Sequence, residues 1–565
     1  MKRKQFINKH IAKKIVWFIL LSLPVLLFLF PFAKDSKGIM LGDWDYFAQL
    51  YEAARRTILE FHQFPWWNPW IGGGVPLYSN PQYGLISFQT PLVLMFGTLV
   101  GLRLSIVLYF IVGFWGMWKL LLRTGANKCT ATLLSYIWVF SSFPVWHLAG
   151  GHLTFGTYFL APWFFYFLLN IRKTRGWIWF GLFTAFMLNQ SLHYMTVHIL
   201  VIGVAVVLYQ VITTRKDYKL SFGNIFKPYL FSIAIALPLA AHKLYFTLQY
   251  LHDFPRVPPI ELQVPINMIT AALTFRGTQV LNPITFYKGG FGWAEYAAYA
   301  GLLTLGLFAY LVISNLQMKK RMDSKLILLL LGMALTLLLA LGDFSILSPY
   351  NIMKQLPVFN QMQVSARWLG WFIFGMIIFL GSLPKKKIIT IILIISAVDV
   401  FLSSFSVINY NVGRYNPPIV KGTEFKQVAF YKNTPTISLS SLRLFHATQS
   451  NTGDIYGYEP LVGFGGDVNE GYAGLSNRCA SNRTLCPFVL SNNATVTYWS
   501  PGLIKLSRTA PGDIEINENP GAYWKVNGER VFKQMEVTEL KENFIIQNPD
   551  NRITLQIDPL FLYKF

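Results

Sequence analysis

About eleven apolar runs, each close to the roughly 20 residues that cross a bilayer as a helix, dominate the first 404 residues of this chain. They lie near 14–33, 91–122, 129–147, 154–170, 177–192, 195–212, 228–247, 297–316, 325–342, 366–383 and 387–404. In lipid such a run satisfies its backbone polar groups internally only as a helix. The expected fold class is a polytopic α-helical membrane protein. Charged residues are only 13% of the 565, against roughly 25% in soluble domains, which excludes a soluble enzyme. The first run follows MKRKQFINKHIAKK without a small-residue cleavage site, and Pro24 and Pro31 interrupt it. It reads as a retained anchor.

The net charge of +23 raises the question of nucleic acid, and its distribution answers it. With the N-terminus in the cytoplasm, every second loop is basic. Arg123 and Lys128 share one loop, Arg172, Lys173 and Arg175 the next, then Arg215, Lys216 and Lys219. Lys319, Lys320, Arg321 and Lys325 follow, and finally Lys385, Lys386 and Lys387. That is the positive-inside pattern of a multi-pass protein of the cytoplasmic (inner) membrane. The basicity orients the chain, and no nucleic-acid partner is expected. The opposite loops, at 34–90, 248–296 and 343–366, are long and carry the acids and histidines. Chemistry is expected on the extracytoplasmic side.

Near residue 405 the apolar runs shorten to strand length, and stretches such as IEIN and ITLQI alternate between turn residues. Residues 405–565 are read as a C-terminal, mostly-β extracytoplasmic domain following the transmembrane domain 1–404. Cys479 and Cys486 lie close enough in sequence for a disulfide there, or remain two free thiols.

The first long loop is the most informative. Phe47, Leu50, Tyr51, Ala54, Ile58 and Phe61 recur at helical spacing, with Gln49, Glu52, Arg55, Arg56 and Glu60 on the other side. This predicts an amphipathic helix lying in the membrane interface. Asp43 and Asp45 stand at its start. Two roles fit them: a helix cap, or a general base at the lipid–water boundary, where a lipid-linked substrate presents its head group. In the PWWNPWIGGGVP that follows, Trp66 and Trp67 suit either interfacial anchoring or stacking on sugar rings.

Several patches resemble the YfhO-type bacterial membrane proteins and, more broadly, the GT-C class of integral-membrane glycosyltransferases. They are the Gly42-Asp43 start, FPWWNPWIGGGVPLY at 64–78, His147-Leu-Ala-Gly-Gly-His152, GWAEYAAYAGLLTL at 292–305, LPVFNQMQVSARW at 356–368 and PGAYWKVNGERV at 520–531. The resemblance implies a GT-C-like fold and transfer of a sugar, with inversion, from a polyprenyl-phosphate-linked donor to an extracytoplasmic glycan or lipid acceptor. The first-loop carboxylate is the base in that class, and Asp43 is the matching position, with Asp45 in reserve.

The departing lipid phosphate needs donors or positive charge. Arg367, at the mouth of the tenth run, suits bidentate phosphate recognition or interfacial snorkelling; Arg256 is a weaker loop candidate. His62, His147, His152 and Glu295 complete the substrate-binding candidates. The histidines follow no ligand motif, so no metal ligand is assigned and a divalent cation is left open as a cofactor. Asp399, inside the last run, has no partner that the sequence names. Two other readings compete: a transporter or flippase, and a non-catalytic scaffold for envelope polymers. Internal repeats would favour the first; none is seen.

Overall fold

The computed structural model describes residues 2–34, 38–39, 43–218, 222–253, 263–276, 292–317, 323–356, 358–362, 364–382, 386–411, 413–414, 425–428, 443–454, 486–489, 491–516, 524–527, 529–530, 544–546 and 552–557. Arg256, Cys479 and, within the 248–296 loop, residues 254–262 and 277–291 lie outside the described residues.

The molecule is mostly helical, with small sheets towards its C-terminus. Among the described residues, five helices are long and apolar enough to cross a membrane: Thr98–Arg123, Lys128–Ala149, Tyr194–Thr213, Ile225–His252 and Lys387–Asn409. Shorter apolar helices include Ile15–Phe28, Leu302–Asn315, Ser324–Ala340 and Ser365–Gly381. Each of the eleven apolar runs carries a helix, but several are broken where the sequence permits it. Gly97, at φ 80°, separates Gln89–Phe96 from Thr98–Arg123. The run near 154–170 begins as a 3-10 helix, Leu153–Leu160. The run that begins at 297 is not helical before Leu302: residues 297–301 form neither helix nor strand, and Gly301 has a positive φ of 92°. The last helix runs on to Asn411, past the boundary expected at 404.

The apolar spacing in the first loop does form a helix, Trp44–Leu59, but much of its polar side is buried: of Gln49, Glu52, Arg55, Arg56 and Glu60, only Arg55 and Glu60 keep partial exposure. Gln49, Glu52 and Arg56 are buried at 0%, 4% and 7% exposure. This corrects the expectation of a helix lying at an interface with one wet face. The cause is a short helix from the C-terminal region, Arg443–Gln449, packed against it. Gln49 donates to Asn68 Oδ1 (3.0 Å) and Thr448 Oγ1 (3.2 Å), and Arg56 donates to the Thr448 carbonyl. Glu52 accepts from Thr98, tying the same helix to the first long helix behind it. Polar groups thus removed from water need partners, and each of these has one.

The aromatic turn serves the same contact. Gly72, Gly73 and Gly74 all have positive φ, and they fold Val75–Pro76 back on Trp67–Asn68 as a two-stranded ribbon. Trp67 meets Trp524 edge-on at 5.9 Å, and Trp70 meets Trp499 likewise and donates to Asn451 Oδ1 at 3.0 Å. Trp499 and Trp524 belong to a five-stranded antiparallel sheet, ordered Glu529–Arg530, Trp524–Val526, Arg552–Ile557, Leu503–Arg508, Ala494–Ser500. The C-terminal region is therefore a mixed unit docked on the first loop by aromatic edges worth about 0.5–1.5 kcal/mol each beyond their burial.

Asp45 fastens this docking. Its carboxylate accepts the amides of Leu444 (2.9 Å) and Phe445 (3.0 Å), at the N-terminal turn of Arg443–Gln449. Charge-assisted bonds of this kind contribute roughly 1.5–3 kcal/mol. Asp45→Ala is expected to loosen the C-terminal region by that order. Limited proteolysis of the purified protein should then cut between 412 and 442 faster than in wild type. Unchanged cleavage would remove Asp45 from this role.

Candidate functional site

The site is assembled around a turn in His147-Leu-Ala-Gly-Gly-His152. The helix Ser142–Ala149 ends there, and Gly151 turns the chain at φ 87°. The two glycines are needed for close approach of another segment. The Gly150 carbonyl accepts the Asp43 amide at 2.9 Å. A Cβ on Gly151 would lie 2.2 Å from the Trp44 nitrogen and 2.7 Å from the Asp43 carbonyl carbon. Backbone at that distance cannot move aside cheaply, so Gly151→Ala is expected to displace Asp43 and impair function as strongly as loss of Asp43 itself. The protein should still dock its C-terminal region, as limited proteolysis can report. Full function in Gly151→Ala would contradict the close packing.

Asp43 occupies the N-cap position of Trp44–Leu59, yet its side chain makes no capping hydrogen bond. It lies instead 3.4 Å from His152 Nε2. The same nitrogen is 3.7 Å from Glu295 Oε1, and His147 Nδ1 is 4.0 Å from Glu295 Oε2. The two imidazoles face each other through their Nδ1 atoms at 2.7 Å. Glu295 comes from a 3-10 turn, Trp293–Glu295, and accepts a two-pronged bond from Arg367: Nε to Oε2 at 2.7 Å and Nη2 to Oε1 at 2.6 Å. Arg367 comes from another 3-10 turn, Ser365–Trp368, at the start of an apolar helix.

The cluster has an aromatic wall. The Arg367 guanidinium lies 4.1 Å from the Tyr194 ring centre and 5.2 Å from that of Phe155, and His147 stacks on Phe155 at 3.8 Å. Cation–π contacts of this kind strengthen when desolvated. Burial pushes the Glu295 carboxyl up, but the Arg367 charge and then the His152 ring outweigh it and hold the group well below the usual carboxylate range. Glu295 is therefore ionised and committed to Arg367. Asp43 is the more accessible carboxylate, with 28% of its side chain exposed against 9% for Glu295. Arg367 Nη1 is buried with no hydrogen-bond partner.

Beside His152 a small, largely apolar cavity of about 20 Å³, room for roughly one water molecule, lies between Thr98–Arg123 and Leu153–Leu160. Ile106, Phe110 and Phe159 line it, with Gln89, Ser105 and Tyr109 as its polar groups.

Five of the residues singled out in the sequence meet here: Asp43, His147, His152, Glu295 and Arg367. Four others do not take part in these contacts. Asp45 holds the C-terminal helix. Trp67 packs on Trp524, and Trp66 on Tyr78 and Phe246. His62 is exposed at a positive φ of 52°. Arg256 lies outside the described residues. Sequence reasoning passed over Phe155 and Tyr194, which wall the cluster, and His198, stacked on Trp368 at 4.0 Å and accepting from Trp371 Nε1 at 3.0 Å. His198 carried a legible signal, an ionisable group inside an apolar run; the two aromatics carried none. Asp399 finds partners in Arg276, at 2.6 Å, and the Tyr299 hydroxyl.

No protein-family model matches the chain, and none of the curated proteins compared with it does.

Proposed function

We propose that this chain is a multi-pass glycosyltransferase of GT-C type, in the inner membrane, with about eleven transmembrane helices. It moves a sugar from a polyprenyl-phosphate-linked donor to an extracytoplasmic glycan or lipid acceptor. The observation that carries this reading is the chain of contacts that leads from one partly exposed carboxylate, Asp43, through His152 and Glu295 to Arg367, residues from loops far apart in sequence. A structural cap or a solvated loop acid requires no such company.

The orientation rests on charge. Lys128 begins the helical segment whose other end is Ala149, two residues beyond His147, and Arg123 ends a helix that begins at Thr98. The cluster thus belongs to the helix ends opposite the basic loops, and the positive-inside rule assigns those ends to the outside.

In this reaction the acceptor hydroxyl gives its proton to the Asp43 carboxylate as its oxygen attacks the anomeric carbon. The new C–O bond forms on the face opposite the bond to the carrier, which breaks, and the polyprenyl phosphate leaves with the electron pair. One displacement inverts the configuration. Arg367 keeps Nη1 for the departing phosphate, and its other two contacts fix the guanidinium. Preorganised donors at a developing charge supply much of an enzyme's rate.

Mass spectrometry of envelope glycans and lipid-linked sugars, comparing cells with and without the protein, tests the proposal. Loss of one sugar decoration with accumulation of its carrier-linked donor is expected. An unchanged glycan profile would sink it and turn attention to transport.

A further inference from the structure

Two carboxylates, Asp43 and Glu295, abut the same His152 nitrogen. The 3.7 Å between His152 Nε2 and Glu295 Oε1 exceeds the usual N–H···O range of about 2.7–3.2 Å. It is close to the roughly 3.0–3.6 Å that separates neighbouring ligands when each is bonded to one ion at about 2.0–2.2 Å.

We propose that His147, His152 and Glu295 bind one first-row divalent cation of the Zn²⁺ class, with a coordination position left open on the Asp43 side. Among the described residues these three each present a ligand atom, and the atoms all lie within 4.8 Å of one another. His147 is fully buried, and its Nε2 has no hydrogen-bond partner, so the ring's polar engagement is with His152 and Glu295 through Nδ1. Two imidazoles and a carboxylate suit Zn²⁺ and its neighbours, whereas Mg²⁺ and Ca²⁺ prefer all-oxygen sets. Three protein ligands with a fourth position free is the arrangement of catalytic zinc sites. Arg367 supplies the supporting hydrogen bonds that orient a ligating carboxylate. Its positive charge also limits affinity, so binding is expected to be reversible by chelators. The cation's open position takes a phosphate oxygen, which is the one part of this inference that rests on the proposed transfer reaction.

The test uses the full chain, purified in detergent with its affinity tag removed and stripped with EDTA. It is equilibrated with Zn²⁺, Co²⁺ or Mg²⁺ alone, and bound metal is counted by mass spectrometry. About one Zn²⁺ or Co²⁺ per chain is expected, with Co²⁺ giving visible absorption bands, and no retention of Mg²⁺. His147→Ala and His152→Gln should each weaken Zn²⁺ binding at least about a hundredfold, and His62→Ala should not. His152→Gln, at a partly exposed position, guards against misfolding; its metal-free unfolding temperature should match that of metal-free wild type. Equal metal content in wild type and in the His147→Ala, His152→Gln double variant would overturn the site, as would retention of Mg²⁺ alone. Metal counting needs no substrate, so a wrong transfer reaction and a wrong metal site give different results.

Discussion

Asp43→Asn, expressed at the wild-type level, is expected to lower sugar transfer by about 10²–10⁴-fold, the range that a positioned general base contributes. The amide keeps the size and much of the polarity of the carboxylate but cannot take the acceptor's proton. The unfolding midpoint of the purified variant in detergent is compared with that of wild type, so that a loss of transfer is not mistaken for a loss of folding. The measurement is mass spectrometry of glycans and carrier-linked sugars in cells carrying wild type, no protein or the variant. Loss of decoration with donor accumulation in both deletion and variant supports Asp43 as the base. If the variant decorates normally while the deletion does not, Asp43 is structural and Glu295 becomes the next candidate. Asp45 is a poorer second choice than the sequence implied, because both its oxygens accept backbone amides of the C-terminal helix.

The second large effect concerns stability. Glu295→Gln removes the carboxylate that holds the Arg367 guanidinium in a two-pronged bond, at 7% exposure, and leaves it only the more distant charge of Asp43. Breaking a buried ion pair from one side costs about 3–5 kcal/mol, since the orphaned charge remains out of water. Removing both partners costs far less when volume is kept. Glu295→Gln and Arg367→Met should therefore each lower the unfolding midpoint in detergent sharply, and the double variant should recover much of the loss. A coupling energy above about 1 kcal/mol in the double-mutant cycle is the expected result. Two single variants whose effects simply add would mean that the pair does not act as a unit. Function should stay low in the recovered double variant, separating the stabilising role of Glu295 from its part in the site.

Much of the helical framework was legible because a spanning run allows its backbone few alternatives. The Trp44–Leu59 helix was legible too, from its 3.6-residue spacing. Its environment was not. Gln49, Glu52 and Arg56 look like a wet face in sequence, and only the packing of Arg443–Gln449, almost 400 residues later, makes that face buried. The Trp-Pro-Gly turn was similarly ambiguous. Interfacial anchor, sugar platform and docking ridge all call for tryptophan, and Trp499 and Trp524 favour the third for Trp67 and Trp70.

What the sequence determined by itself is therefore the set of elements and the chemical types at their ends: apolar helices, basic turns on one side, and acids, histidines and Arg367 on the other. The Gly-Gly pair between His147 and His152 was visible in the sequence, but not the close approach of Asp43 and Trp44 that it permits. Tertiary structure decided the pairings. Glu295 and Arg367 are 72 residues apart, and Asp43 and His152 more than a hundred, and no local pattern encodes such distances. It also separated Asp43 from Asp45. Two residues along a helix are rotated by roughly 200°, so neighbours in sequence meet different surroundings. One carboxylate reaches the C-terminal helix, and the other reaches the cluster.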